Sequence, residues 1–378
     1  MSALSALVHQ RHSRMAVAIW AIVPTVFLFF AMTLAVDPTT HLDRLRIGVA
    51  VLDEGVATPN GHVSIGPLLL EGIGGRLGAE AVPFSTEAAL RDAVLAHDVT
   101  VAIVVPAGLT QAVMTGEPAG LEVVRSDAGD AFGNAFSANL AGQLSAMLNA
   151  ALPAVVDGQP PAAPAIAVTT ETVAATTDFR FAAVPASLLL PLWMASVAFA
   201  ALVATSGNAI RSTFGPFRTG LAELAVTTVA AGIVGAVLTL DIALFSWRSD
   251  LDLLGLFGLL WLGLVAIGWL VLGAVRLFGL AGGVGLGILA LFVQQPVSGA
   301  MFPPAFAPDA VRWAEPIAPL RYLVEGLRNV LIGGSTTPDM AVALTLLALT
   351  GAAMALAGMV RLAALSGRDV RRHDLVTA

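Results

Sequence analysis

A chain of 378 residues with 57% hydrophobic and 12% charged side chains cannot clothe a water-facing surface of its full size, where about 25% charge is usual. There is no cysteine, and all 19 basic residues are arginine, which excludes disulfides, thiolate nucleophiles, cysteine-ligated metals, a Walker A loop and a Schiff-base lysine. A formal charge of −7 argues against a nucleic-acid partner.

The composition is that of an integral membrane protein, and the apolar runs predict where it crosses. A spanning helix needs about 20 uncharged, mostly apolar residues. The first such run is 15–36, between Arg14 and Asp37. It is longer than the roughly 7–15 residues of a signal-peptide core, and Thr33-Leu34-Ala35 is a poor cleavage site, so it reads as an uncleaved anchor.

Residues 37–180 follow, with 16 acids and six Arg. This is the right size for one folded domain. Strand patterns at 46–52, 81–84, 99–105 and 121–124 alternate with helical patterns at 67–77, 86–97, 107–115 and 131–152. Such alternation predicts a small α/β domain. The stretch 159–177, rich in Pro, Ala and Thr, reads as a partly extended return to the membrane. The glycines of 72–78 are not spaced as G-x-G-x-x-G and read as part of a packed helix. Asp53 and Glu54, after the first strand, could hold a cation but are more simply a solvated turn.

Five further runs complete the chain: 181–210, 224–240 (extended by 242–247), 253–275, 277–308 and 340–360. The expected fold is therefore a six-helix membrane bundle in a one-plus-five layout, with an inserted extracytoplasmic α/β domain. Its units are 1–36 (N-terminus and first span), 37–180 (outer domain), 181–363 (five spans) and 364–378 (tail). With both termini cytoplasmic, the inner segments hold nine Arg against three acids and the outer ones ten Arg against 23 acids. That asymmetry obeys the positive-inside rule.

In that topology 206–220 is a cytoplasmic loop with Arg211, Phe214, Phe217, Arg218 and, just beyond, Glu223. Cations and aromatic anchors beside Gly215-Pro216 suit either an ordinary positive-inside loop or an interfacial helix that docks a soluble partner. On the outer side, Gln295, Pro296, Ser298, Gly299, Phe302 and Pro303 break the fifth span at membrane depth, where freed backbone groups must be satisfied by protein or a wet cavity. An amphipathic helix follows within the hairpin 296–338. Leu320, Leu323, Val324, Leu327 and Leu331 form its stripe, and Arg321 and Glu325 stand at i, i+4. Gly279, Gly283 and Gly287, like Ala231 and Gly235, have the small-xxx-small spacing that lets helices approach. No charge lies near a span centre, which weakens ion-coupled transport. The six His show no metal-ligand spacing.

These parts resemble the membrane subunit of an ABC-2 type exporter with a large outer insertion after the first span. The stretch Ser298-Gly299, Phe302-Pro303, Pro319, Tyr322, Arg328 and Gly333-Gly334 is similar to that family's S-G-x-x-F-P run and the P-x-x-Y-x-x-x-x-x-R-x-x-x-x-G-G helix after it. Residues 49–54 (VAVLDE) and 102–108 (AIVVPAG) resemble two outer-domain motifs, with Leu109 where a Phe is usual. The resemblance implies a permease in the bacterial plasma membrane, without catalytic residues or cofactor of its own. It would pair with itself or a second permease, draw on ATP and Mg through separate P-loop ATPase subunits, and move an amphipathic, lipid-like or drug-like substrate outward. The family's acidic coupling helix before the third span is missing here. The chain also resembles, in the same layout, the YhgE/Pip-like membrane proteins, which are scaffolds, receptors or secretion-associated proteins with no assured ATPase.

Overall fold

A computed structural model describes residues 41–58, 61–155, 166–176, 179–246, 251–333 and 339–377. The expected first span, 15–36, lies outside the described residues, as do parts of the return stretch 159–177. The described chain forms an α/β domain and a bundle of long apolar helices.

In the domain, β1 (Arg46–Val51), β4 (Glu80–Phe84), β5 (Val101–Val105), β6 (Gly120–Ser126) and β7 (Ala167–Ala174) make one sheet, while β2 (Val56–Thr58) and β3 (Gly61–Val63) form a separate small ribbon. The sheet order is β4-β1-β5-β6-β7, and only the β5–β6 pairing is antiparallel. Helices α1 (Ile65–Gly72), α2 (Glu87–Leu95), α3 (Leu109–Thr115) and α4 (Ala131–Val155) cover it. Side chains alternate across a strand, so Ile47, Val49, Val101, Ile103, Val105, Leu121 and Val123 face one layer with Leu69, Val113, Leu140 and Leu144. Ala50, Ala102, Val104 and Val124 face the other, with Leu90 and Val94. A central strand buried on both faces reads as a continuous β-branched run, which is why 99–105 is so plain in the sequence. The glycines of 72–78 do continue a helix, its last turn widening over Ile73–Leu77. Sequence patterning did not anticipate β2, β3 or the regular strand β7.

Asp53 is neither solvated nor available to a cation. It is buried, and the backbone N–H of Thr110 donates to it at 3.2 Å. The Thr110 hydroxyl also donates to it, and accepts from the Ile65 N–H at 3.0 Å. One carboxylate thus ties the β1 exit to the first turns of α1 and α3, whose orphan N–H groups need acceptors. Asp53→Ala is expected to cost the domain about 2 kcal/mol, read as faster proteolysis of the domain in the intact, detergent-solubilised protein.

Arg91 on α2 gathers Glu87, Glu122 of β6 and Glu171 of β7. Its guanidinium holds the Glu171 carboxyl below the usual range. Burial, reinforced by Glu171, pushes Glu122 up. A depressed carboxyl stabilises above its unfolded pKa of about 4.3, and that stabilisation is lost as pH falls through the folded value. Arg91→Met is therefore expected to cost about 1 kcal/mol at pH 7, because three carboxylates then face one another. The penalty should shrink below pH 4 and be visible in the same proteolysis assay run at both pH values.

The bundle contains four helices long and apolar enough to cross a membrane: α5 (Phe179–Phe214), α6 (Pro216–Ser246), α7 (Leu253–Val297) and α9 (Asp339–Thr377). Between α7 and α9 lies the shorter α8 (Pro319–Leu331). Two expected spans lie within α7, which departs from helical geometry at Gly279 (φ 84°, ψ 169°). There the chain doubles back: Gly283 lies against the backbone of Val275, and Gly287 faces Val271. Residues equally spaced on either side of 279 meet, so α7 is a helical hairpin, and the described residues hold five apolar segments. Gly279 is then a turn, not the packing glycine expected; its positive φ is the conformation glycine adopts without penalty. Gly283 and Gly287 do pack closely, the latter also against Val197 of α5, and Gly235 of α6 lies against the backbone of Trp261. Tryptophan donors are satisfied between helices: Trp193 on the Gly287 carbonyl at 2.7 Å, Trp261 on Thr228 at 3.0 Å and Trp269 on Leu224 at 3.2 Å. On α6, Leu221, Val226, Val229, Ile233, Val237 and Leu240 remain exposed. Such a face is far too apolar for water and suits lipid or another subunit.

Candidate functional site

The two ends of the bundle differ in character. At the domain end the hairpin expected over 296–338 is built around a tight turn. Ser298 donates its hydroxyl to the Gln295 carbonyl at 2.8 Å and accepts from the Ala300 N–H at 3.3 Å. Gly299 has φ 74°, and a side chain there would meet Pro304 and the Arg328 guanidinium. Two backbone carbonyls of this turn are satisfied by a buried side chain. Arg328, on α8 and only 8% exposed, donates to the Gly299 carbonyl at 2.6 Å and to Ala300 at 3.1 Å. The buried Gln294 accepts from the Leu320 N–H at 3.4 Å, joining the two arms.

Helix α8 starts on Pro319, which needs no N–H partner at that position. Its expected apolar stripe is buried against the bundle. Arg321 pairs with Glu315 at 2.8 Å, a partner the i, i+4 reading did not identify. The structure therefore brings together Ser298, Gly299 and Arg328, while Phe302 packs on Phe132 of the domain and the Pro303 carbonyl accepts from the Phe306 N–H. Gln295 is exposed, Pro296 lies inside the end of α7, and Tyr322 points away to donate to the Pro316 carbonyl at 2.8 Å.

At the far end, no separate helix occupies 206–220. Helix α5 runs to Phe214 and α6 starts at Pro216, with Gly215 (φ 78°) as the whole connection. Phe214 is 54% and Phe217 46% exposed, and Arg218 is exposed beside them. Two large aromatic rings and a cation are thus exposed close together on this turn.

Glu223 belongs elsewhere. It is buried one turn deeper, and its carboxylate takes both the Nε of Arg276, at 2.7 Å, and the Nη2. Arg276 also donates to Asn208 Oδ1 at 2.8 Å and to the Ala204 carbonyl at 2.9 Å. Asn208 Oδ1 accepts from Arg211 as well, at 3.4 Å. A polar chain thus runs from the turn, through Arg211 and Asn208, to a buried ion pair joining α5, α6 and α7. Glycines make room for it: Gly207 abuts the Glu223 carboxylate, and Gly358 of α9 abuts the backbone of Arg276. Beside it Arg361 donates to the Leu277 carbonyl, at the end of one arm of the α7 hairpin.

Sequence reasoning missed Arg276 as a site residue, having counted it only as a loop charge. The available signal was its isolation, as the one charge between Asp252 and Asp309. Among the described residues no three His, Cys, Asp or Glu side chains are placed to hold a metal ion.

A family model described as "ABC-2 family transporter protein" matches residues 14–360. No curated protein and no solved structure matches the chain.

Proposed function

The chain belongs to the ABC-2 family of transporter proteins, and from that premise we propose that it is the permease subunit of an ATP-driven exporter. It lies in the bacterial plasma membrane with residues 37–180 outside and both termini in the cytoplasm. Two permeases, identical or different, assemble with two separate P-loop ATPase chains that bind ATP and Mg. The substrate is amphipathic, lipid-like or drug-like, in keeping with apolar helices that carry no central charge. The observation that carries this reading is the exposed Phe214-Gly215-Phe217-Arg218 turn at the end opposite the α/β domain. A partner bound there meets Arg211, and through Asn208 the pair Arg276–Glu223 that clamps three helices. Force applied at the turn would reach the bundle by contact.

Coexpression with a P-loop ATPase encoded beside this gene tests the proposal. The two should copurify, and the permease should stimulate ATP hydrolysis. Phe217→Asp should abolish both without lowering the thermal stability of the permease. Absence of copurification and of stimulation would refute the exporter reading.

One observation favours a second reading, a YhgE/Pip-like scaffold or receptor without an ATPase. The direct junction of α5 and α6 at Gly215 leaves no separate docking helix.

A further inference from the structure

Phe306 belongs to the membrane hairpin by sequence and to the α/β domain by packing. It is fully buried, in the same cluster as Ile47, Leu69 and Leu140 of the domain, and Phe302 packs against that cluster. The rings of Phe132 and Phe306 lie 5.4 Å apart, those of Phe132 and Phe302 6.0 Å, and His41 packs on Phe306 at 6.3 Å.

Backbone groups cross the same joint. The first N–H groups of α4, which no intrahelical carbonyl can satisfy, are taken by the hairpin: Phe132 donates to the Met301 carbonyl at 3.0 Å and Ala131 to Ala300 at 3.5 Å. Arg44 reaches the carbonyls of Ala305 and Ala307, each at 3.4 Å, and Asp309 at 3.3 Å. From the bundle side, Arg328 grips the same Ala300 carbonyl. The turn 298–306 is therefore held on one side by the domain's longest helix and on the other by the helix buried among the apolar segments.

We propose that the α/β domain and the hairpin 298–309 form a single rigid body, with Phe306 of the hairpin packed into the domain core. The outer end of α7 and the domain then move together or not at all. Two covalent joins, one at each end of residues 37–180, would by themselves let a domain swing. The third, non-covalent join removes that freedom, because swinging would pull an aromatic ring out of a packed core and strip α4 of its caps. Displacement of the hairpin as the bundle opens would consequently carry the domain with it. This holds whether or not an ATPase drives the motion.

The natural absence of cysteine allows a direct test in the full-length protein. Spin labels at Gln111→Cys on the exposed side of α3 and Ala310→Cys on the exposed hairpin report their separation by pulsed dipolar spectroscopy. A single narrow distance distribution is expected, the same in detergent and in bilayers. A broad or multiple distribution in the otherwise native protein would overturn the proposal. Adding Phe306→Ala should broaden the distribution, or expose the domain to protease with an about hundredfold larger susceptible population. A Phe306→Ala protein with an unchanged narrow distance and unchanged protease resistance would equally overturn it.

Discussion

Replacing Glu223 with alanine is expected to destabilise the helical bundle by about 3–5 kcal/mol. The cost comes from what is left behind. Arg276 is 6% exposed at its side chain, and without Glu223 it keeps only the oxygens of Asn208 and Ala204. A cation confined there has lost most of its hydration and its counter-charge together. Arg276→Ala should be similarly costly, for it strands the carboxylate beside Gly207. The double variant Glu223→Leu with Arg276→Met removes both charges and fills much of their volume. It should recover to within about 1 kcal/mol of the native protein. Thermal unfolding in one detergent, with Glu223→Leu and Arg276→Met also measured singly, completes the cycle. If the double variant were destabilised by the sum of the two single effects, the two residues would not be acting as a pair.

The seam between the first arm of α7 and α9 should be as intolerant. A Cβ on Gly273 would sit 2.5 Å from the Gly351 carbonyl oxygen and 2.8 Å from Met354 Cβ. One on Gly351 would meet the carbonyl of Trp269 at 2.7 Å, and one on Gly358 the Arg276 carbonyl carbon at 2.5 Å. These obstacles are backbone atoms or, at Met354, the Cβ fixed to it, so no side-chain rotation relieves them and the helices must part. Overpacking typically costs about 1–3 kcal/mol, and Gly351→Val should reach the top of that range or exceed it. Gly285→Val is the control, because nothing lies within 4 Å of its added Cβ. The expected result is a large fall in melting temperature for Gly351→Val and almost none for Gly285→Val. Gly358→Val should in addition weaken the coupling measured between Glu223 and Arg276, since it displaces the arginine backbone.

Features that depend on periodicity were legible in the sequence. The stripe of α8 and the strands β1 and β5 follow from which side chains share a face, and hydropathy marks the long helices. Features that depend on distant residues meeting were not. Glu223 and Arg276 are 53 positions apart; each looked like an ordinary charge at a membrane edge. Phe306 follows its ring partner Phe132 by more than 150 residues, and nothing local distinguishes it from Phe302. Gly279 heads a run at four-residue spacing that suits a packed helix, yet a hairpin about residue 279 uses the same spacing to bring Gly283 and Gly287 against the preceding arm. Asp53 reads as a turn carboxylate until the fold places Thr110 beside it.

Sidedness is tested most directly by single cysteines in this cysteine-free chain. Glu117→Cys in the domain and Phe217→Cys at the far turn, both at exposed positions, can be challenged in intact cells with a membrane-impermeant maleimide. Glu117→Cys should label at once, and Phe217→Cys only after the membrane is permeabilised. Labelling of both from the same side of the membrane would contradict a bundle that separates an external domain from a cytoplasmic docking turn.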